Sequence, residues 1–116
     1  MTEQTAWLTV PDFADALGVA ASDVREMIRQ RQIIAVRRGP SDAWHVPAGF
    51  IHDHEGEVRV LPTLPGTITV LTDAGLSDDE SIEWLLTENE ELDTTPLAAL
   101  REGRRAPVRR AAQTLF

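Results

Sequence analysis

The sequence predicts a mainly α-helical fold with a small β-hairpin wing: a helix-turn-helix, the wing directly after it, and a packed C-terminal helical part. Three observations predict it. Two short amphipathic stretches flank a glycine turn before residue 31. The apolar period then switches from 3.6 to 2, and beyond residue 61 it returns to helical spacing with recognisable caps. The expected organisation is a lead over 1–8, the winged helix-turn-helix over 9–60, and a helical part over 61–116 packed on it as one unit.

The first helix is expected from about Pro11, whose ring fixes a helix-compatible φ at a first-turn position, with Thr9 and Asp12 as capping oxygens. Phe13 and Leu17 share one face, and Gly18 supplies the left-handed residue that ends it. After the Gly18-Val19-Ala20 turn, Val24, Met27 and Ile28 recur at helical spacing while Arg25, Glu26, Arg29 and Gln30 point the other way. Ser22 is a good N-cap, yet the usual register of such a turn puts the cap at Ala20, and both starts stay open. Trp7 and Leu8 read as a short extended entry that joins the core, behind a polar lead with Thr2 and Thr5.

The wing is read from Ile33-Ile34-Ala35-Val36-Arg37-Arg38, a Gly39-Pro40-Ser41-Asp42 turn, and Ala43-Trp44-His45-Val46, with His45 facing away from Trp44 and Val46. A hairpin in this place lets the second helix enter a DNA major groove while the hairpin reaches backbone or minor groove. Pro47 to Ile51 should return Phe50 and Ile51 to the core. His52-Asp53-His54-Glu55 invites a metal reading, but its spacing fits neither a helical His-Glu-x-x-His site nor a finger, so it reads as a solvated hairpin or loop. Glu57 to Leu61 is expected as a third strand against the wing.

Further on, Leu64, Ile68 and Leu71 suit a helix over 65–74 that Gly75 stops. Ser77-Asp78-Asp79-Glu80 is a capping box with acids in the first turn, opening a helix with Ile82, Leu85 and Leu86 on one face. Trp84 lies off that stripe, as a core residue or a partner anchor. Thr87 to Thr94 reads as an acidic loop; Thr95-Pro96 opens a helix with Leu97 and Leu100 inward and Gly103 as its stop. A last helix is expected near Pro107, with Val108, Ala111, Ala112 and Leu115 as its stripe.

Composition narrows the function. With 116 residues and 42% apolar content the chain can bury one core. It has no cysteine, so disulfides, thiol nucleophiles and Cys-based zinc sites are excluded. No apolar run reaches the roughly 18 residues of a membrane span and Met1-Thr2-Glu3-Gln4 lacks a basic leader start, so a cytoplasmic location is expected. There is no Gly-rich phosphate loop, nucleophile turn or lysine, and acid pairs such as Asp78-Asp79 are explained by capping; no enzymatic activity, cofactor or metal is expected.

The net charge of −8 argues against nucleic acid only as a sum. All eleven basic residues are arginine: Arg25, Arg29, Arg31, Arg37 and Arg38 fall between 25 and 38, and Arg101, Arg104, Arg105, Arg109 and Arg110 between 101 and 110. Nine acids and no base occupy 73 to 93. Such a molecule is dipolar, with basic ends available to phosphate. The competing reading is a solvated face that balances nearby acids.

Thr9 to Val19, Ile34 to Arg38, Pro65-Gly66-Thr67, Asp73-Ala74-Gly75, Glu83 to Thr87 and Val108 to Gln113, in this order, resemble a family of small actinobacterial winged helix-turn-helix DNA-binding proteins with an α-helical C-terminal part. The likeness covers about residues 6 to 116. The helix-turn-helix alone is also similar to MerR-type regulators and phage excisionases. The resemblance implies DNA binding through the second helix and wing. The residues expected to carry it are Ser22, Arg25, Arg29, Gln30, Arg31, Arg37 and Arg38, with a second basic surface at Arg104, Arg105, Arg109 and Arg110. The partners expected are double-stranded DNA and, through the C-terminal helices, a second copy or another protein. The uses implied are a transcriptional regulator or a nucleoid-type architectural protein. An alternative is a protein-interaction module, because Trp84 to Leu92, Pro96-Leu97, Leu100, Gly103 and Val108 loosely resemble the toxin-binding part of some antitoxins.

Overall fold

A computed structural model describes residues 6–115, so most of the polar lead falls outside the described residues. The chain enters as β1 (Trp7–Thr9), and Thr9 ends that strand by capping α1 (Val10–Leu17). Its hydroxyl accepts from the Asp12 N–H at 3.3 Å, which places Pro11 in the first turn where its missing N–H costs nothing. Gly18, at φ 74°, returns its N–H to the carbonyls of Ala14 and Asp15 and turns the chain into α2 (Ala21–Arg29).

The open start of α2 resolves to Ala20. Alanine offers no capping oxygen, so the reciprocal half of the box does the work: the Asp23 carboxylate accepts the Ala20 N–H at 3.0 Å. Ser22 therefore sits inside the first turn. At the far end Gln30 is the C-cap, and Arg31 takes a left-handed φ of 63° that ends the helix without a glycine.

Beyond the helix, Ile33, Ile34 and Ala35 are buried linkers rather than the first half of a strand. The wing proper is β2 (Val36–Arg38) and β3 (Ala43–Pro47), with Val36 opposite His45, Arg37 opposite Trp44 and Arg38 opposite Ala43. Its turn places Gly39 and Asp42 at positive φ. The third strand on the wing hairpin is β1, which pairs antiparallel with the other edge of β3 and gives the order β1-β3-β2.

A 3-10 turn at Ala48–Phe50 drops Phe50 fully into the core. The next segment corrects a second expectation: Glu57 to Leu61 does not extend the wing. Instead β4 (Ile51–His54) and β5 (Glu57–Val60) form their own two-stranded sheet around Glu55-Gly56, both at positive φ, and the Asp53 carboxylate accepts the Gly56 N–H at 3.0 Å. The His-Asp-His run is thus one strand of an exposed hairpin.

Four short helices follow: α3 (Leu64–Asp73), α4 (Asp78–Leu86), α5 (Pro96–Arg101) and α6 (Arg105–Gln113). The capping box of α4 closes in both directions, with Ser77 Oγ accepting from the Glu80 N–H at 3.2 Å and Glu80 accepting the Ser77 N–H at 2.9 Å. Those hydrogen bonds hold the exposed Glu80 carboxyl below its ordinary value, the backbone bond contributing most. Thr95 caps α5 through the Ala98 N–H. The acidic loop between α4 and α5 is pinned by a buried Leu92. On α6 the inward stripe stops at Ala112, and Leu115 is exposed, unlike the prediction.

No helix of the described residues could stand alone at these lengths. They are held by one continuous core, in which Phe13, Val24, Ile33 and Phe50 join Leu64, Leu71, Leu85, Leu92, Leu100 and Val108. The closest junction is at Gly49, where a Cβ would come within 2.8 Å of a Leu97 methyl. Glycine is what lets α5 reach the turn below the wing.

Candidate nucleic-acid interface

The amphipathic pattern of α2 buries Val24 and leaves Ser22, Arg25, Arg29 and Gln30 exposed on one side. Ser22 lies in the first turn, and Arg25 and Arg29 follow at helical spacing. Glu26 sits among them: it is ion-paired with Arg29, and its other oxygen accepts from the Gln30 amide at 3.0 Å. Both partners are largely exposed, so the pair is weak enough for a phosphate to replace.

Strand alternation assigns the wing residues to two faces, because cross-strand partners share a side. Leu8, Val46, Trp44 and Arg37 share the face toward α1 and α2. Trp7, Pro47, His45, Val36 and Arg38 share the other, which looks onto α4 across a groove also lined by Asp79, Ile82 and Glu83. Each wing arginine is stacked on a tryptophan, Arg37 at 4.3 Å from the Trp44 ring centre and Arg38 at 4.2 Å from that of Trp7. The stacking holds two long side chains in place, and Arg37 has one exposed ion partner, the Asp42 carboxylate at 3.9 Å. Arg37 also donates to the Asp42 carbonyl at 3.2 Å, across the wing turn.

Arg31, grouped with these by sequence, is placed elsewhere. Its left-handed backbone turns the guanidinium to Asp78, 2.8 and 3.0 Å from the two carboxylate oxygens, and to the Thr72 hydroxyl at 3.1 Å. It ties the end of α2 to α3 and α4, and this leaves it outside the exposed array.

The second basic group divides likewise. Arg101 donates to the Gly49 and Ile51 carbonyls, and Arg104 to the Leu92 carbonyl at 3.1 Å with Glu102 nearby at 3.5 Å. Arg105, Arg109 and Arg110 are exposed and make no ion pair among the described residues. Arg105 and Arg109 line a cleft of about 410 Å³ between the starts of α3 and α6, with Thr63, Gly66 and Thr67 opposite and no carboxylate in its wall. His52 and His54 stack on each other at 5.9 Å, and among the described residues no cluster of three or more metal-binding side chains forms. No helix of the described residues is long and apolar enough to cross a membrane.

Sequence reasoning missed Trp44. It is 43% exposed, the most open large apolar side chain described, and it lines a concavity of about 440 Å³ with Val10, Ser22, Arg25, Ile28 and Arg29. Alternation puts it on the same sheet face as the buried Val46. The sheet face is buried near β1 and runs out into solvent toward the wing turn, so the same face changes environment within two residues.

Helices α1 and α2 about a glycine turn, followed by a wing whose Arg37 faces the side of the second helix, define a winged helix-turn-helix protein. The comparisons agree. Residues 1–51 match the family described as "DNA-binding protein Rv2175c, wHTH domain", and residues 61–115 match "Rv2175c C-terminal domain of unknown function". The chain belongs to this family. It is 34% identical over 102 residues to the DNA-binding protein Rv2175c of Mycobacterium tuberculosis, a match that takes in 88% of this chain and 63% of that protein. The chain thus spans under two thirds of that relative's length. The NMR structure of Rv2175c superimposes with a TM-score of 0.80 at 28% identity, over 99% of this chain and 84% of that one.

Proposed function

We propose that the protein binds double-stranded DNA, with α2 in the major groove and the wing on the flanking backbone or minor groove. Ser22, Arg25, Arg29 and Gln30 face the base edges and nearest phosphates, and Arg37 and Arg38 hold phosphates from the wing. The single observation that carries this reading is that Ser22, Arg25, Arg29 and Trp44, with Arg37 stacked on the last, surround one open concavity between α2 and β3. The nine acids of 73 to 93 lie on other elements. Membership of a family named for a DNA-binding protein supports it.

Arg105, Arg109 and Arg110 form a second, outlying contact that a long duplex reaches. α3 separates it from Arg31 by the length of ten residues, about 15 Å. Two uses suit such a protein, a transcriptional regulator and a nucleoid-type architectural protein; a discrete footprint marks the first and uniform coverage the second. The antitoxin-like reading gains nothing here, because Leu85, Leu92, Leu97, Leu100 and Val108, which carry that likeness, are buried in the chain's own core.

The test is fluorescence anisotropy with labelled duplex DNA at two salt concentrations. Affinity that falls with salt at a slope of about 0.9 per phosphate contact, and a flatter slope for the combined Arg29→Ala, Arg37→Ala, Arg38→Ala variant, is the expected result. Absence of binding at low salt overturns the proposal.

A further inference from the structure

An indole left open to water at the edge of a basic face is a costly feature for a chain with only three tryptophans and three phenylalanines. The surroundings of Trp44 give it a ligand. Val10, Ile28 and the indole supply apolar surface to the concavity, while Ser22, Arg25 and Arg29 supply a hydroxyl and two cations, and no carboxylate lines it. Arg37 lies on the indole ring itself and adds a third cation, whose exposed carboxylate neighbour, Asp42, stands 3.9 Å away. This alternation of uncharged surface and cation matches the chemistry of one sugar–phosphate strand, in which apolar deoxyribose edges lie between phosphates.

We propose that the saddle between α2 and β3 seats one DNA strand, with Trp44 packed on a deoxyribose and Arg25, Arg29 and Arg37 on the flanking phosphates. The inference rests on the DNA-binding reading and adds an apolar, salt-independent contact to it. Trp44 thereby fixes how deeply α2 enters the groove, since the strand cannot slide past a ring stacked on its sugar. Aromatic packing of this kind needs no base hydrogen bonds, so it positions the protein without selecting a sequence.

The experiment is the same anisotropy titration with Trp44→Ala, Trp44→Phe and Arg37→Ala, on a thymine-containing duplex and on its uracil counterpart. Trp44→Ala should weaken binding about ten-fold while leaving the salt slope as in the wild type, and Trp44→Phe should recover most of the loss. Arg37→Ala should instead lower the slope by about one. Because Trp44 is exposed, the melting temperature of its variants should stay within about 2 °C of the wild type. The proposal is overturned by unchanged affinity in Trp44→Ala, or by a slope that falls as it does for Arg37→Ala, which would make the indole merely a seat for that arginine. A Trp44→Ala loss that is present on the thymine duplex and vanishes on the uracil duplex also overturns it, by moving the contact to a thymine methyl. If the wild type fails to bind DNA at all, the functional reading falls along with it. A failure confined to Trp44 leaves that reading standing.

Discussion

The two arginine clusters look alike in sequence and do different work in the fold. Between residues 25 and 38, Arg25 is exposed, Arg29 is leashed to Glu26, and Arg37 and Arg38 ride on tryptophan rings. Only Arg31 is tied to a distant element. Between residues 101 and 110, Arg101 and Arg104 are struts that satisfy backbone carbonyls of the 49–51 turn and the acidic loop. The difference teaches that charge density marks where phosphate could bind, whereas the partner of each guanidinium decides whether it is free to do so. An arginine bound to the carbonyls of a distant segment serves folding; Arg37 and Arg38, stacked on rings, gain a fixed position on the wing, with the carbonyl and carboxylate that Arg37 meets both belonging to Asp42 of its own turn.

The largest effect that would break this contrast comes from removing Arg25, Arg29 and Arg37 together. The salt slope of DNA binding should fall by about 2 to 3, with the melting temperature little changed. An unaltered slope in anisotropy would mean that the face on α2 and the wing does not meet DNA. Next comes Arg101→Ala, which loses two bonds across the junction between α5 and the turn under the wing. It should destabilise the fold by about 1 to 2 kcal/mol in urea titration and leave DNA affinity per folded molecule unchanged. Should Arg101→Ala instead weaken binding without loss of stability, the division into struts and contacts would fail.

Glu26→Gln sharpens the comparison inside the first cluster. Releasing Arg29 and removing a negative charge from the face should tighten DNA binding about 3- to 10-fold at low salt, with the gain shrinking as salt rises. Weaker binding would show that Glu26 orients the arginine usefully.

A smaller effect distinguishes the ends of the chain: Arg105→Ala with Arg109→Ala should leave binding to a short duplex intact and lower the slope only on a long one. Equal loss on both lengths would put the two clusters on one surface. Smallest is the α4 cap, where Ser77→Ala should cost about 1 kcal/mol by the same urea titration. The lowered value of Glu80 makes its contribution full above the unfolded carboxylate range and lost as pH falls through the folded value. The stability difference between Glu80→Gln and the wild type should therefore narrow on acidification.

Much of this was legible because the signals are local. Pro11 and Gly18 bracket α1, Ser77 with Glu80 opens α4, and Thr95-Pro96 with Gly103 brackets α5. Each is a short-range contest for backbone hydrogen bonds that residue type decides. The misses share a different cause. The pairing of β1 with β3 joins residues nearly 40 apart, which three residues of local pattern cannot announce. Arg31 leaves the candidate site because of Asp78, 47 positions away. Leu92 is a lone apolar residue among acids, and only the cavity it fills makes it core. Glu55-Gly56 was a readable turn and a hairpin formed around it, but nothing local told that Glu57–Val60 pairs with Ile51–His54 and not with the wing. Trp44 went unassigned, because alternation gives the face of a sheet and not where that face leaves the core.

The measurement that tests the central claim most directly is amide chemical-shift mapping of the protein on titration with a duplex. The account predicts that the largest shifts cluster in Ser22 to Gln30 and Val36 to Trp44, with the α4 amides still. Shifts confined to Arg105 to Gln113, with α2 and the wing unmoved, would contradict it and transfer DNA binding to the C-terminal helices.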